Sequence, residues 1–312
     1  MVGPTAVLGR RRGLQFFRLN RAYSWWLEVD KGPDAAPLQL VQLPHWFDKR
    51  AANAMPSGFG PYSLVRLSEQ TGGSFTIYDR LAERSRYRLE DLRAYLPDYR
   101  DAATIENEFR QSPLRRAVIE AARLTAQAGD RAPPILDFDF DYWYPPAEYQ
   151  QKVAALVLAD LHHVNRVRLL IERALDVLQQ PETEAALKEE ESLRWQADYL
   201  LARGRLLALS VRYREYELLA TALLQGKVLA AATTRAEFQA STQLNSGDWG
   251  VKRQEEAHRF LTQCAEKHAG TPWGDLAGLE MRHPSGLRVF QRVTQPSGVA
   301  MPGPGSPTPP RL

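Results

Sequence analysis

Two stretches of the chain repeat apolar residues in alternating steps of four and three. In the first, Val157, Leu161, Val164, Ile171, Leu175 and Leu178 fall on one seam, interrupted by Arg168. In the second, Leu193, Ala197, Leu200, Gly204, Leu207 and Val211 follow the same rule. A helix turns every 3.6 residues, so such steps keep one stripe facing one partner. With Pro181 punctuating between them, the pattern predicts a long antiparallel helical hairpin over 151–226, with a coiled-coil type of seam. Gly204 lies on that seam, although glycine costs about 1 kcal/mol of helix propensity against alanine. Its place there predicts a close approach of two backbones.

A second helical unit is read over 250–281. Ala257, Phe260, Leu261 and Ala265 mark one face, His268-Ala269-Gly270-Thr271-Pro272 makes a turn, and Trp273, Leu276 and Ala277 open the next helix. The pair is similar to one terminal pair of a tetratricopeptide-type (TPR) repeat, a type that stacks and binds peptides, though no second copy recurs at a fixed period.

Residues 1–80 read differently. Leu38, Leu40, Val41 and Leu43 before Pro44 suit either a short helix or a short strand. Pro56 to Pro61 is a loop, and Pro61 suits the first turn of a helix, where its missing N–H costs nothing. Leu64, Val65, Leu67 and Ser68 line that helix, and Thr71-Gly72-Gly73 stops it, since glycine accepts the left-handed cap geometry. Phe75, Thr76, Ile77 and Tyr78 then suit a strand. Loop, helix, glycine stop and strand make the closing unit of an open α/β sheet. About 55 residues before Pro56 are too few for a whole doubly wound domain. The piece is therefore expected to be partial. Residues 81–150 form a connecting region, with a helix near 113–128 capped by Ser112 and opened by Pro113. Residues 284–312 are Pro/Gly-rich without periodicity and predict a disordered tail. The fold class expected is mainly α: a partial α/β piece, a long hairpin and a short helix pair.

Composition narrows the function classes. The 312 residues hold 40 basic and 37 acidic side chains, a net charge of +3, which implies no polyanionic partner. Arg10, Arg11, Arg12, Arg18 and Arg21 cluster early, and Arg282, Arg288, Arg292 and Arg311 late; these read as solvated ends and not as a nucleic-acid arm. No apolar run reaches the roughly 18 residues of a membrane span. Cys264 is the single cysteine, which excludes an intrachain disulfide and a cysteine-based metal site, and it reads as a packing residue. The first twelve residues do not have the order of a secretory signal. A start upstream of Met1 would carry any leader with it, so the compartment stays open.

The best local chemistry is Asp137-Phe-Asp-Phe-Asp-Tyr-Trp-Tyr. In a strand, Asp137, Asp139 and Asp141 share one face, and Glu148 falls twelfth from Asp137, as in an EF-hand loop. The sixth position, however, is Tyr142, where that loop needs glycine. Three carboxylates can hold Ca²⁺ or Mg²⁺ loosely; the plainer reading is an acidic solvated face backed by aromatic residues on the core. His162 and His163 are adjacent on a helix and point about 100° apart, the wrong spacing for a shared metal. Glu189-Glu190-Glu191 reads as a charge run at a helix start. The sequence has no Gly-x-Ser-x-Gly, His-Glu-x-x-His or phosphate-loop motif. No catalytic residue and no cofactor is expected.

Gly60-Pro61-Tyr62-Ser63-Leu64, continued by Glu69-Gln70-Thr71-Gly72-Gly73-Ser74-Phe75, resembles the end of a von Willebrand factor A (VWA) domain. Two later stretches, Arg194-Trp195-Gln196-Ala197-Asp198-Tyr199 with Gly204-Arg205-Leu206-Leu207-Ala208, and His268 to Trp273 with Leu276-Ala277, are similar to motifs in the helical region that follows the VWA domain in a group of bacterial proteins. The resemblance covers roughly 15–283. It implies protein binding, in that family through a metal held by Asp-x-Ser-x-Ser. No aspartate here starts that pattern, so the metal site is not carried over. The function expected is a non-catalytic interaction or scaffolding protein with a protein partner. Phe59, Tyr62, Trp195 and Trp273 are expected at its working surface. The alternative is a divalent-metal-dependent binder or hydrolase built on Asp137, Asp139 and Asp141.

Overall fold

The computed structural model describes residues 15–20, 23–27, 32–35, 37–47, 62–74, 87, 89–129, 134–139, 146–229, 233 and 235–292. Strands β1 (Gln15–Asn20) and β2 (Tyr23–Leu27) pair antiparallel as a hairpin. Helices α1 (Gly32–Ala35), α2 (Tyr62–Thr71) and α3 (Leu89–Leu92) follow, α3 running into a 3-10 turn at Arg93–Tyr95. Then come α4 (Ala102–Gln111), α5 (Pro113–Ala126), β3 (Asp137–Asp139), α6 (Pro146–Leu178), α7 (Pro181–Glu189) and α8 (Leu193–Leu224). The last elements are β4 (Arg235–Ser241), α9 (Gly247–Lys267), α10 (Pro272–Met281) and β5 (Gly286–Arg292). The described chain is thus mainly helical, with a small antiparallel sheet in the order β3-β4-β5.

Local chemistry sets the helix ends. Ser112 ends α4 through its own N–H to the Glu108 carbonyl, and its side chain accepts the Arg115 N–H at the start of α5, with Pro113 in the first turn. Asp101 caps α4 by accepting the Thr104 N–H at 3.0 Å. Gly72, at φ +69°, stops α2 as the Thr-Gly-Gly motif predicts.

The two long helices pair antiparallel. The Tyr199 hydroxyl donates to the Leu178 carbonyl at 3.1 Å, and the Tyr216 hydroxyl to Asp160 at 3.0 Å, near the opposite end of the pair. The loop between them holds α7. α9 packs antiparallel along another side of α8: Glu215 meets Ser246, Arg203 meets Glu256, and Cys264 meets the Ala197 carbonyl. Gly204 lies where these two helices touch. A Cβ there would stand 2.8 Å from Leu261 Cγ and 3.0 Å from the Leu261 backbone nitrogen. The close approach is real, but its partner is α9 and not α6.

The burial of α8 extends beyond the seam. Leu201, Leu206, Leu209 and Tyr213, off the seam, are buried as well, because α6, α9, α10 and the segment 37–47 cover α8 on different sides. That segment is neither helix nor strand, the two alternatives the sequence left open. It runs as an irregular strap in which Gln39, Val41, Leu43 and His45 are buried at every second position, followed by Trp46. Val41, Leu43 and Trp46 belong to the same core as Leu114, Val164, Leu206, Trp273 and Leu287. The boundary expected at residue 80 therefore does not divide the core. The tail expected from 284 is corrected at its start: Gly286–Arg292 is strand β5, held to β4 with Leu287 buried. The strand read at 75–78 and residues 293–312 lie outside the described residues.

Candidate functional site

The polar residues that matter most sit on α8. Asp198, Arg205 and Arg212 are spaced by seven, which places them on one face of a helix. That face meets α10, where Trp273 and Glu280 are also seven apart. The Trp273 indole N–H donates to Asp198 Oδ1 at 2.6 Å; Arg205 Nε donates to Glu280 Oε2 at 3.2 Å, and Arg212 donates to Glu280 Oε1. Two heptad ladders thus run side by side, with the helices parallel.

Glu280 is the hub of the lower ladder. Besides the two guanidinium groups it meets His45 Nδ1 at 3.1 Å. Arg205 also donates to the Val41 carbonyl at 3.1 Å and the Leu43 carbonyl at 2.5 Å, and Arg212 to the His283 carbonyl at 2.8 Å. Against the cost of its burial, the Arg212 and Arg205 charges and the His45 hydrogen bond hold the Glu280 carboxyl well below the usual range. Burial, with Arg205 alongside, lowers His45 against the opposing pull of Glu280. The cluster is an ionised carboxylate, two arginines and carbonyls from the strap and from the end of α10. Its chemistry is that of a fastener.

A second fastener lies at the start of α8. Arg194 pairs with Asp34 and donates to Gln39 Oε1 at 2.5 Å. Asp34 also accepts the Trp195 indole N–H at 3.3 Å and the Asp98 N–H at 2.8 Å. One turn on from Arg194, Asp198 is buried with no ion pair among the described residues, and burial pushes its carboxyl up to about 7 despite Arg194. His268 accepts or donates through Nδ1 to the Tyr95 hydroxyl at 2.9 Å, and burial lowers it to about 4. Burial pushes the Cys264 thiol up to about 12, so it carries no thiolate at neutral pH.

The residues singled out from sequence fall elsewhere. Trp195 and Trp273, expected at a working surface, are buried, because each indole N–H is spent on an internal carboxylate: this is a correction. Tyr62 is the first residue of α2, and Phe59 lies outside the described residues. Asp137 is exposed on β3 and pairs with Arg235 at 2.9 Å, while Phe138 beside it points inward against Phe238. Asp139 stands opposite Arg235 in the strand register, Glu148 is exposed in the first turn of α6, and Asp141 lies outside the described residues. Among the described residues no group of three His, Cys, Asp or Glu side chains is placed to hold a metal ion. His162 is exposed on α6. No helix among the described residues is long and apolar enough to cross a membrane.

Sequence reasoning missed the two fasteners. The heptad spacing of Asp198, Arg205 and Arg212 inside an apolar helix was the available signal; a solvated helix seldom keeps charge in register with its core. Comparison with protein-family models, curated proteins and solved structures finds no match to this chain.

Proposed function

We propose that this chain is a non-catalytic interaction or scaffolding protein, related to the helical regions that follow VWA domains, and that its helical body is the working part. The observation that carries this reading is the use made of the buried ionisable groups. Arg194, Arg203, Arg205, Arg212, Glu215 and Glu280 each tie α8 to another element. Groups used in this way hold a shape and are not free to move protons or attack a substrate. Large apolar side chains meanwhile stand outside the body: Leu158 and Leu169, eleven residues or three turns apart on α6, and Trp249 and Val251 on α9. The VWA relation is supported by the motif at 60–75 and by the glycine stop of α2. The paired helices α9 and α10 support the TPR-like reading.

The test is retention of a partner by immobilised full-length chain, compared with the double variant Leu158→Asp, Leu169→Asp. A specific partner held by the first and lost from the second is expected. Equal retention, or metal-dependent hydrolysis by the purified chain, would overturn the proposal. The metal-dependent alternative makes its own demand. A bound cation raises the melting temperature with the logarithm of its concentration. Millimolar Ca²⁺ or Mg²⁺ is expected to leave Tm within about 1 °C of the chelator-treated protein.

A further inference from the structure

Two polar atoms near the start of α8 are buried and have no hydrogen-bond partner among the described residues: Arg194 Nε and Asp198 Oδ2. Their residues are four apart, and such pairs are neighbours on a helix. Arg194 is meanwhile committed through its other nitrogens to Asp34 and Gln39, next to and on the strap. Asp198 is committed through Oδ1 to Trp273 on α10. One guanidinium thus stands between two carboxylates, one belonging to the body and one to the N-terminal segment, with a donor and an acceptor left over on the body side.

We propose that Arg194 is a pH-governed latch: with Asp198 protonated it holds Asp34 and the strap, and with Asp198 ionised it is drawn along α8 and the strap is loosened. The step moves one proton from Asp198 Oδ2 to water. The carboxylate left behind accepts the unused Arg194 Nε–H, and the pull weakens the Arg194–Asp34 pair.

The surrounding groups leave Asp198 as the member that titrates near neutrality. From α8 itself Arg194 faces it; from α1, Asp34; from α9, Cys264, whose thiol is pushed up to about 12; from α10, the Trp273 N–H. Around Asp34 stand the Trp195 indole, the Asp98 backbone N–H, Arg115 of α5, which is paired with Glu108 and Glu190, and Tyr99, pushed up to about 12 by burial. Cys264 and Tyr99 keep their protons through neutral pH. Asp198, pushed up to about 7, does not. When the strap opens, Asp198 has the Arg194 charge to itself and its proton leaves more easily. By linkage, the opening constant rises with pH by at most tenfold per unit and levels off above the closed-state value.

The test is amide hydrogen exchange of the full chain from pH 5 to 8.5, corrected for the intrinsic rate at each pH. Protection of the amides in 37–47 is expected to fall at least tenfold between pH 5 and 8, while the amides of 164–171 in α6 keep theirs. Asp198→Asn should keep the strap protected across the range. Asp34→Asn should lower its protection already at pH 5 and remove the pH dependence, and it serves if the first variant does not fold. Strap protection that is flat or rising with pH in the natural chain overturns the latch. So does a fall of equal size in Asp198→Asn, or a fall that α6 shares in full.

Discussion

Asp198 and His268 are buried titratable groups pushed in opposite directions by the same cause. Burial raises the acid to about 7 and lowers the imidazole to about 4. For Asp198 the folded state keeps a proton that the unfolded chain gives up. Its contribution is complete below the ordinary carboxyl value and is lost as pH rises through about 7. For His268 the unfolded chain takes the proton first, so the contribution is complete above about 6.5 and is lost as pH falls toward 4. Between these values the two slopes oppose and mask each other. Asp198→Asn removes one of them. The stability of that variant relative to the natural chain, measured by urea unfolding, should grow by roughly 1 kcal/mol per pH unit from pH 4 to 7 and then level off. A difference independent of pH would mean that Asp198 is ionised throughout. Cys264, free and buried, should react with a thiol reagent only in denaturant. Its packing role was legible from a lone cysteine beside Ala265 on a helix face. The state of Asp198 was not, because the group that buries it, Trp273, lies 75 residues further along.

At the scale of elements, Gly204 decides how near α9 can come to α8. Alanine there would gain about 1 kcal/mol of helix propensity. Its Cβ, however, would press on Leu261 Cγ and on the α9 backbone. The net effect expected for Gly204→Ala is a loss of about 1–3 kcal/mol, since overpacking a tight contact costs that much. Trimming the obstacle in the double variant Gly204→Ala, Leu261→Ala should recover part of the loss relative to Leu261→Ala alone, a non-additivity that a double-mutant cycle measures. The long helices were legible because each repeats one period over several turns, from Val157 to Leu178 and from Leu193 to Val211. α4 was not: among its buried residues stands Ile105, its other side chains being exposed or half-buried, and its signal reduces to the Asp101 cap. β4 and β5 were missed for a related reason. Each is seven residues long and sends Ala236, Phe238 and Leu287 inward, too few positions to stand out from the loops beside them.

For the whole molecule, the strap at 37–47 shares one core with the helical body. Val41, Leu43 and Trp46 pack into the common core, and Arg205 holds two strap carbonyls while sharing Glu280 with Arg212. Removing the carboxylate would leave two buried guanidinium groups without their counter-charge, and breaking a buried pair in this way costs about 3–5 kcal/mol. Glu280→Gln is expected to lower stability by that order and to lose strap protection together with it. At pH 5, with Asp198 protonated and the strap held, unfolding followed by near-UV dichroism and by exchange of residues 37–47 should give one coincident transition. Two separate transitions would restore the boundary at residue 80. The sequence could not show this union, since a partner 160 residues away leaves no local trace, as the Arg194–Asp34 pair illustrates. The wrapping of α8 also bears on the order of events at the ribosome. Strap, α5 and α6 emerge before α8, but Glu280, Trp273 and the β5 edge that complete its surroundings are made tens of residues after it. During that interval Arg212, whose partners Glu280 and the His283 carbonyl are both made later, waits solvated and the face of α8 that α9 and α10 cover waits open, so the nascent chain is most exposed to aggregation while α9 and α10 are being translated.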